Sequence, residues 1–312
     1  MDAVAQYPAG RWRRVRVMFE LGKLKIVELW LGFFVGVALL GRARLSDPRS
    51  LAILLLILVA GIAVIAATCS LDDIVGVRDG VDQANHTEGA RWGVNKPILA
   101  GRLAEKQAFR FVHLLALVAV LGYAAVLLIA WPLPGWLVAT MTFMMAVAVN
   151  YSYGLKLSYR GAGELVIFIG GAGTVLLPYA LVAKAAPPVV LFSALLVGAW
   201  HAQVVMFSNT KDAAGDRATG RMTIAARTSK RGNKIFIASM FVGFWAATAA
   251  AFATHVIPGW YAVALLPVWA LQAHQLWQGL HKEQWLSARL TGFRILRVGI
   301  VALTLINVGL SG

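Results

Sequence analysis

With 312 residues, of which 59% are hydrophobic and only 14% charged, and a mean hydropathy of +0.71, the chain lacks the polar surface to face water all round, which excludes a soluble globular enzyme. The net charge of +15 raises a nucleic-acid partner as a possibility, but in so apolar a chain basic residues report membrane topology, and no nucleic acid is expected. The one cysteine, Cys69, excludes an internal disulfide framework and a cysteine zinc site.

In chain order, the first 25 residues are basic and broken, without the apolar core and small-residue cleavage site of a signal peptide. Nine apolar segments follow, at about 24–41, 51–70, 109–131, 135–154, 163–184, 188–208, 233–254, 258–280 and 294–311. Trp131-Pro132-Leu133-Pro134-Gly135, Pro187-Pro188 and Pro258-Gly259 mark tight connections between neighbours. The pattern predicts an all-α membrane protein, a single bundle of about nine transmembrane helices forming one domain over 1–312. If the N-terminus is cytoplasmic and every segment crosses once, 25 of the 29 Lys and Arg fall on the cytoplasmic side. Basic residues in short loops resist translocation, so this orientation is the self-consistent one.

Six of the eight aspartates fall in two clusters at the predicted cytoplasmic face. Asp72, Asp73, Asp79 and Asp82 follow the second segment, and Asp212 and Asp216 follow the sixth. Concentrated acids at membrane ends are costly unless a cation neutralises them. Asp212 and Asp216 are spaced i, i+4, which puts them on one helix face about 5–6 Å apart at Cβ. That suits Mg²⁺, which takes a few carboxylates together with water and phosphate oxygens. Interleaved bases, namely Arg78, Lys211, Arg217 and Arg221, with Lys156 and Arg160 in the loop between the fourth and fifth segments, fit a polyanionic ligand. The plainer reading is that these acids and bases pair at a solvated membrane edge.

Ser208-Asn209-Thr210-Lys211-Asp212-Ala213-Ala214-Gly215-Asp216-Arg217-Ala218-Thr219-Gly220-Arg221-Met222-Thr223 resembles the N-x-x-D-x-x-x-D-R-x-x-G-[KR]-x-T motif of the UbiA superfamily of intramembrane prenyltransferases. Asn95-Lys96-Pro97 with Gly101 resembles the family's N-[RK]-P-x-x-x-G segment. Tyr151-Ser152-Tyr153-Gly154-Leu155-Lys156 and Tyr159-Arg160-Gly161-Ala162-Gly163-Glu164 resemble the naphthoate (menaquinone-type) branch. The first motif departs from the family's N-D-x-x-D. With Gly80-Val81-Asp82 on the branch's G-V-D, Asp72 falls on the asparagine, Asp73 on the second position, and Gly76 where the third-position aspartate belongs. Asp79 is a candidate to compensate, although a regular helix sets it about 10 Å along the axis from Asp72.

The resemblance implies a Mg²⁺-dependent transfer of an isoprenoid chain from a prenyl diphosphate, through an allylic carbocation, to an aromatic or other lipophilic acceptor. It implies Asp72, Asp73, Asp212 and Asp216 as catalytic metal-linked carboxylates, with Asp79 and Asp82 as further metal ligands. Arg78, Lys156, Arg160, Asn209 and Lys211 are the candidate diphosphate contacts. Asn150, His201 and Gln203 either face an acceptor or bond a neighbouring helix, and Glu164 at a helix start is read as a dipole cap. Two alternatives stay open: a UbiA-type terpene cyclase, in which the substrate's own double bonds capture the cation, and a transporter. The lack of a sorting signal and the Ala- and Arg-rich composition fit a bacterial inner membrane with the site facing the cytoplasm and lipid as its surroundings.

Overall fold

The computed structural model describes residues 10–86 and 96–311, so Asn95 of the Asn95-Lys96-Pro97 segment lies outside the described residues. Helix α1 (Arg11–Leu21) lies ahead of a broken stretch made of a 3₁₀ turn (Val27–Leu29), α2 (Gly32–Ala38) and α3 (Gly41–Leu45). Then come α4 (Pro48–Arg78), α5 (Val81–Asn85), α6 (Glu105–Ala130) and α7 (Gly135–Val149). A 3₁₀ turn (Leu157–Arg160) leads to α8 (Gly163–Ala183) and α9 (Pro188–Ala218). Last are α10 (Ile224–Arg227), α11 (Lys230–Ala253), α12 (Tyr261–Leu276), which runs on as a π-turn (Trp277–His281), and α13 (Trp285–Ser311). Among the described residues there is no strand.

Local chemistry sets several of these ends. Asp47 caps α4, accepting hydrogen bonds from the amides of Arg49 and Ser50, with Pro48 at the first helical position, where its missing N–H costs nothing. Pro187 and Pro188 start α9 in the same way, and Ser229 caps α11.

Six of the helices, α4, α6, α8, α9, α11 and α13, are long and apolar enough to cross a membrane. The other three predicted segments are helical but different in build. The fourth is the 15-residue α7, and the eighth is α12 with its π-turn. The first, at 24–41, is broken into short pieces because packing overrides continuity there. A Cβ on Gly36 would lie 2.2 Å from the Val175 carbonyl oxygen, so α2 lies backbone-to-backbone on α8.

Helix α9 is the axis of the bundle, buried along most of its length and packed on α8, α13 and α11. Its approach to α8 depends on small residues. A Cβ on Gly198 would meet the Phe168 carbonyl oxygen at 2.6 Å, and one on Gly171 would meet His201 Nδ1 at 2.6 Å. Helix α7 packs more loosely against α4 and α8 and leaves a space between them. The consequence is that the ends of α4 and α9, which carry the two aspartate clusters, are set by the rigid part of the bundle, beside a space that is not filled.

Candidate active site

At the end of α4 the chain turns at Gly80, which takes a left-handed φ of 76° closed to most residues, and reverses into α5. The reversal folds Asp82 back beneath α4. A Cβ built on Gly76 would lie 2.9 Å from the Asp82 carboxyl carbon and 2.9 Å from its Oδ1. The carboxylate of Asp82 thus occupies the space that a side chain at 76 would fill, and Asp82 is 4% exposed. Asp79, the expected substitute for a residue at 76, turns instead to Lys156, 2.5 Å away.

The two clusters meet. Asn85 on α5 donates a hydrogen bond of 2.8 Å to Asp216, which also accepts one of 3.3 Å from Thr223. Gly215 makes room for this, since a Cβ there would be 2.0 Å from Asn85 Oδ1. Arg221, just past α9, comes within 4.0 Å of Asp72, and the Ser152 hydroxyl donates to Asp72 at 2.5 Å. Tyr159 lies under both Arg221 and Lys156, at 5.4 and 4.9 Å from its ring centre, a cation–π arrangement.

Among the described residues, four cations face the aspartates of the first cluster. Lys23 and Lys96 approach the two oxygens of Asp73 at 2.9 and 2.7 Å, and Lys96 also reaches Asp82 at 2.9 Å. Lys156 and Arg221 complete the set. Burial opposes charge on Lys96, but the carboxylates of Asp73, Asp82 and Asp72 outweigh it and hold the ammonium above its ordinary pKa. Arg221 is likewise raised, burial being outweighed by Asp72 and Asp216. Asp82 goes the other way: burial pushes its carboxyl up in spite of Lys96. Lys23 and Lys156 both have left-handed backbones, φ 54° and 49°, an uncommon state for a non-glycine residue and one that stores strain where a side chain must be aimed.

Other expected site residues lie elsewhere. Arg78 turns outward to pair with Glu105 and stack on Phe109, and Arg160 is exposed on the surface. Lys211 pairs with its neighbour Asp212 at 3.0 Å. Asn150 closes its own turn, bonding Ala146 O and accepting from Leu155 N. Gln203 accepts a hydrogen bond from Gln272, which itself accepts one from Trp245, in an interhelical chain. Asn209 is buried and donates 2.8 Å to Glu164, whose carboxyl lies in the first turn of α8 and also reaches α9. Lys23, Lys96, Asn85, Ser152 and Thr223 were not singled out by the sequence. Their partners stand 7 to 131 positions away, and the signals were the Asn-Lys-Pro segment for Lys96, the closing threonine of the second motif for Thr223 and the Tyr151–Lys156 stretch for Ser152.

Beside the clusters opens an apolar cavity whose free space, counted out to its open side, is about 1090 Å³. Thr68 and Cys69, one turn before Asp72, stand at its near end, and Ile57 lines it about 18 Å further along α4. Trp30, Tyr123 and Tyr151 contribute aromatic faces. His201 also lines the wall, with Nδ1 2.8 Å from Val197 O and Nε2 3.0 Å from Glu28 O, so backbone carbonyls engage both ring nitrogens.

A divalent cation needs oxygens free to turn toward it, and the two clusters differ in this. Among the described residues no three acidic, histidine or cysteine side chains gather closely enough to enclose a metal. At the first cluster both oxygens of Asp73, and one of Asp82, already face an ammonium, so it does not fit a metal. At the second, Asp212 and Asp216 stand one turn apart: Asp212 is part exposed with one oxygen on Lys211, and Asp216 is buried with its oxygens on the neutral Asn85 and Thr223, donors that leave lone pairs for Mg²⁺ held together with phosphate and water oxygens.

The sequence matches the UbiA prenyltransferase family over residues 29–296. This chain belongs to the UbiA prenyltransferase family. A solved chain from work on the biosynthesis of digeranylgeranylglyceryl phosphate synthase in membranes has the same fold, with a TM-score of 0.65 at 14% identity over 95% of this chain and 99% of that one. No curated protein matches the sequence. The UbiA match begins after Lys23, so one of the four cations at the first cluster comes from outside the matched stretch.

Proposed function

We propose that this protein is an intramembrane prenyltransferase that binds a prenyl diphosphate with its head at the joined aspartate clusters and its isoprenoid tail in the apolar cavity. The observation that carries this is the juncture itself. Asn85–Asp216 and Arg221–Asp72 tie the two clusters into one polar site, one turn from the near end of the cavity.

Arg221 and Lys156 are the cations best set to take phosphate oxygens, held by the Tyr159 face and, for Lys156, by a fixed left-handed backbone. Asp212 and Asp216 would hold Mg²⁺, which when bound offsets charge building on the departing diphosphate. Asn85 and Thr223 orient Asp216 for that task. As the C1–O bond breaks, the apolar walls keep water from the allylic cation, and the ring faces of Tyr151 and Trp30 favour positive charge. An electron-rich acceptor carbon then forms the new C–C bond and loses a proton. The asymmetry of basic residues supports a site on the cytoplasmic side of a bacterial inner membrane.

One observation favours a second reading, a terpene cyclase. Both nitrogens of His201 are turned to backbone carbonyls, Val197 O and Glu28 O, and not to the cavity, so this ring is not aimed at an acceptor. The test is product mass spectrometry after incubating the reconstituted protein with Mg²⁺ and prenyl diphosphates of increasing length, with and without aromatic acceptors. An Asp212→Asn, Asp216→Asn variant runs in parallel. A conjugate that needs acceptor supports transfer, and a cyclic hydrocarbon or alcohol formed without acceptor moves the reaction to cyclisation. Intact diphosphate in every arm, with wild type equal to the variant, refutes both.

A further inference from the structure

Resting on the diphosphate reading above, we propose that the first aspartate cluster holds no divalent cation: the Lys96 ammonium, seconded by Lys23, takes that place, and the substrate complex carries one metal, at Asp212 and Asp216.

Three independent features lead there. The first is composition: Gly76 stands where the family pattern puts a carboxylate, so the cluster has lost a ligand. The second is what fills the gap. Asp82 is folded into the space above Gly76, its Oδ1 2.9 Å from Lys96 Nζ, and its other oxygen is buried without a hydrogen-bond partner. Asp73 stands beside it, and the position between the two carboxylates, where Mg²⁺ and the waters of its shell would need room, is filled by the ammonium. The third is the position of the cation. Lys96 bridges Asp73 and Asp82 at 2.7 and 2.9 Å, with its side chain 12% exposed.

The charge argument agrees. A lysine between two carboxylates leaves the trio one negative charge, and Lys23 at the outer oxygen of Asp73 cancels it. With Asp79 paired to Lys156 and Asp72 facing Arg221, the four carboxylates of the first cluster meet four cations and are close to neutral without a metal, whereas a divalent ion added between Asp73 and Asp82 would sit beside two ammonium groups. Asp212 and Asp216 have no comparable bridge. Lys211 touches one oxygen of Asp212, and Asp216, although it lies in the field of Arg221, takes its hydrogen bonds from the neutral Asn85 and Thr223. An ammonium also suits the chemistry, because its N–H bonds can turn to a phosphate oxygen while still holding a carboxylate.

The test counts metal on the full chain in maltoside micelles. Protein is incubated with Mn²⁺ and tritiated farnesyl thiodiphosphate, a slowly ionising analogue, and passed rapidly through a gel-filtration column. Manganese per chain is read by plasma mass spectrometry, and ligand per chain by tritium. The expected result is one Mn²⁺ per bound ligand in wild type, still one in Asp73→Asn, Asp82→Asn, and none in Asp212→Asn, Asp216→Asn. Lys96→Met, with both carboxylates released, rises to two. Lys96→Gln repeats that arm if Lys96→Met does not elute as folded protein. Two Mn²⁺ in wild type, or a count of one in both Lys96 variants, overturns the assignment, as does ligand bound with no manganese. Failure of the analogue to bind wild type at all sinks the diphosphate reading itself, and this inference with it.

Discussion

Gly76 has a neighbour, not merely a missing side chain. Because a Cβ there would meet the Asp82 carboxyl at 2.9 Å, Gly76→Ala must push Asp82 off Lys96. We expect Gly76→Ala to destabilise by about 1–2 kcal/mol, and the penalty to shrink when Asp82→Ala is already present. A double-mutant cycle of thermal unfolding measures that coupling, and additive effects would refute the contact. Lys156 makes the opposite trade. Its φ of 49° favours glycine, so Lys156→Gly should hold or raise the melting temperature while weakening diphosphate-analogue binding about tenfold or more. A binding isotherm beside a melt separates the two effects. At this scale the sequence was only half legible. The i, i+4 aspartates and the oddity of Gly76 can be read directly. That Asp82 and not Asp79 fills the gap depends on a left-handed turn at Gly80, and that Lys23 completes Asp73 depends on a contact 50 positions long.

Among the elements, α8 and the cavity give the sharpest expectation. A Cβ on Gly170 meets nothing within 4 Å, and the residue lines the cavity, so Gly170→Phe fits without disturbing the backbone and fills part of the space. Turnover of the longest accepted prenyl diphosphate should fall at least tenfold while a shorter one is retained, as competition between two chain lengths in one reaction would report. Helix α1 is held in a different way. Burial disfavours a charged Glu20, but Arg102 at 2.7 Å, with Lys25 and Arg16, holds its carboxyl below the ordinary 4.5. A lowered folded pKa contributes stability above about pH 4.5, and that contribution is lost as pH falls through the folded value. Glu20→Gln should therefore melt a few degrees lower near pH 7, and the gap should close on acidification below pH 4.5, followed by melting in buffers from pH 7 to 3.5. The helices themselves were legible, since apolar runs bounded by proline and capping residues leave few choices. The break of 24–41 into α2 and its flanking turns was not, because it follows from the contact of Gly36 with α8.

Among the described residues, six long apolar helices and three short or broken segments set the number of crossings as a question for experiment. The single cysteine makes that experiment clean: with Cys69→Ala as background, one cysteine at a time can be placed at 46, 133, 186, 219 or 283. An impermeant maleimide on intact cells should label 46, 133 and 186 and spare 219 and 283, in keeping with the excess of basic residues on the side of the aspartate clusters. Labelling of 219 from outside would reverse the orientation. Hydropathy made the all-helical build readable, whereas the joining of residues 72 and 221 belongs to the folded bundle alone. The loose seat of α7 beside α4 and α8 has a kinetic meaning. On the proposed reading, a cavity flanked by a thinly packed wall would be filled sideways, from the bilayer. Its substrate is then measured in mole fraction, not molarity: diluting the prenyl diphosphate with inert lipid at constant total amount slows the enzyme, and adding buffer does not.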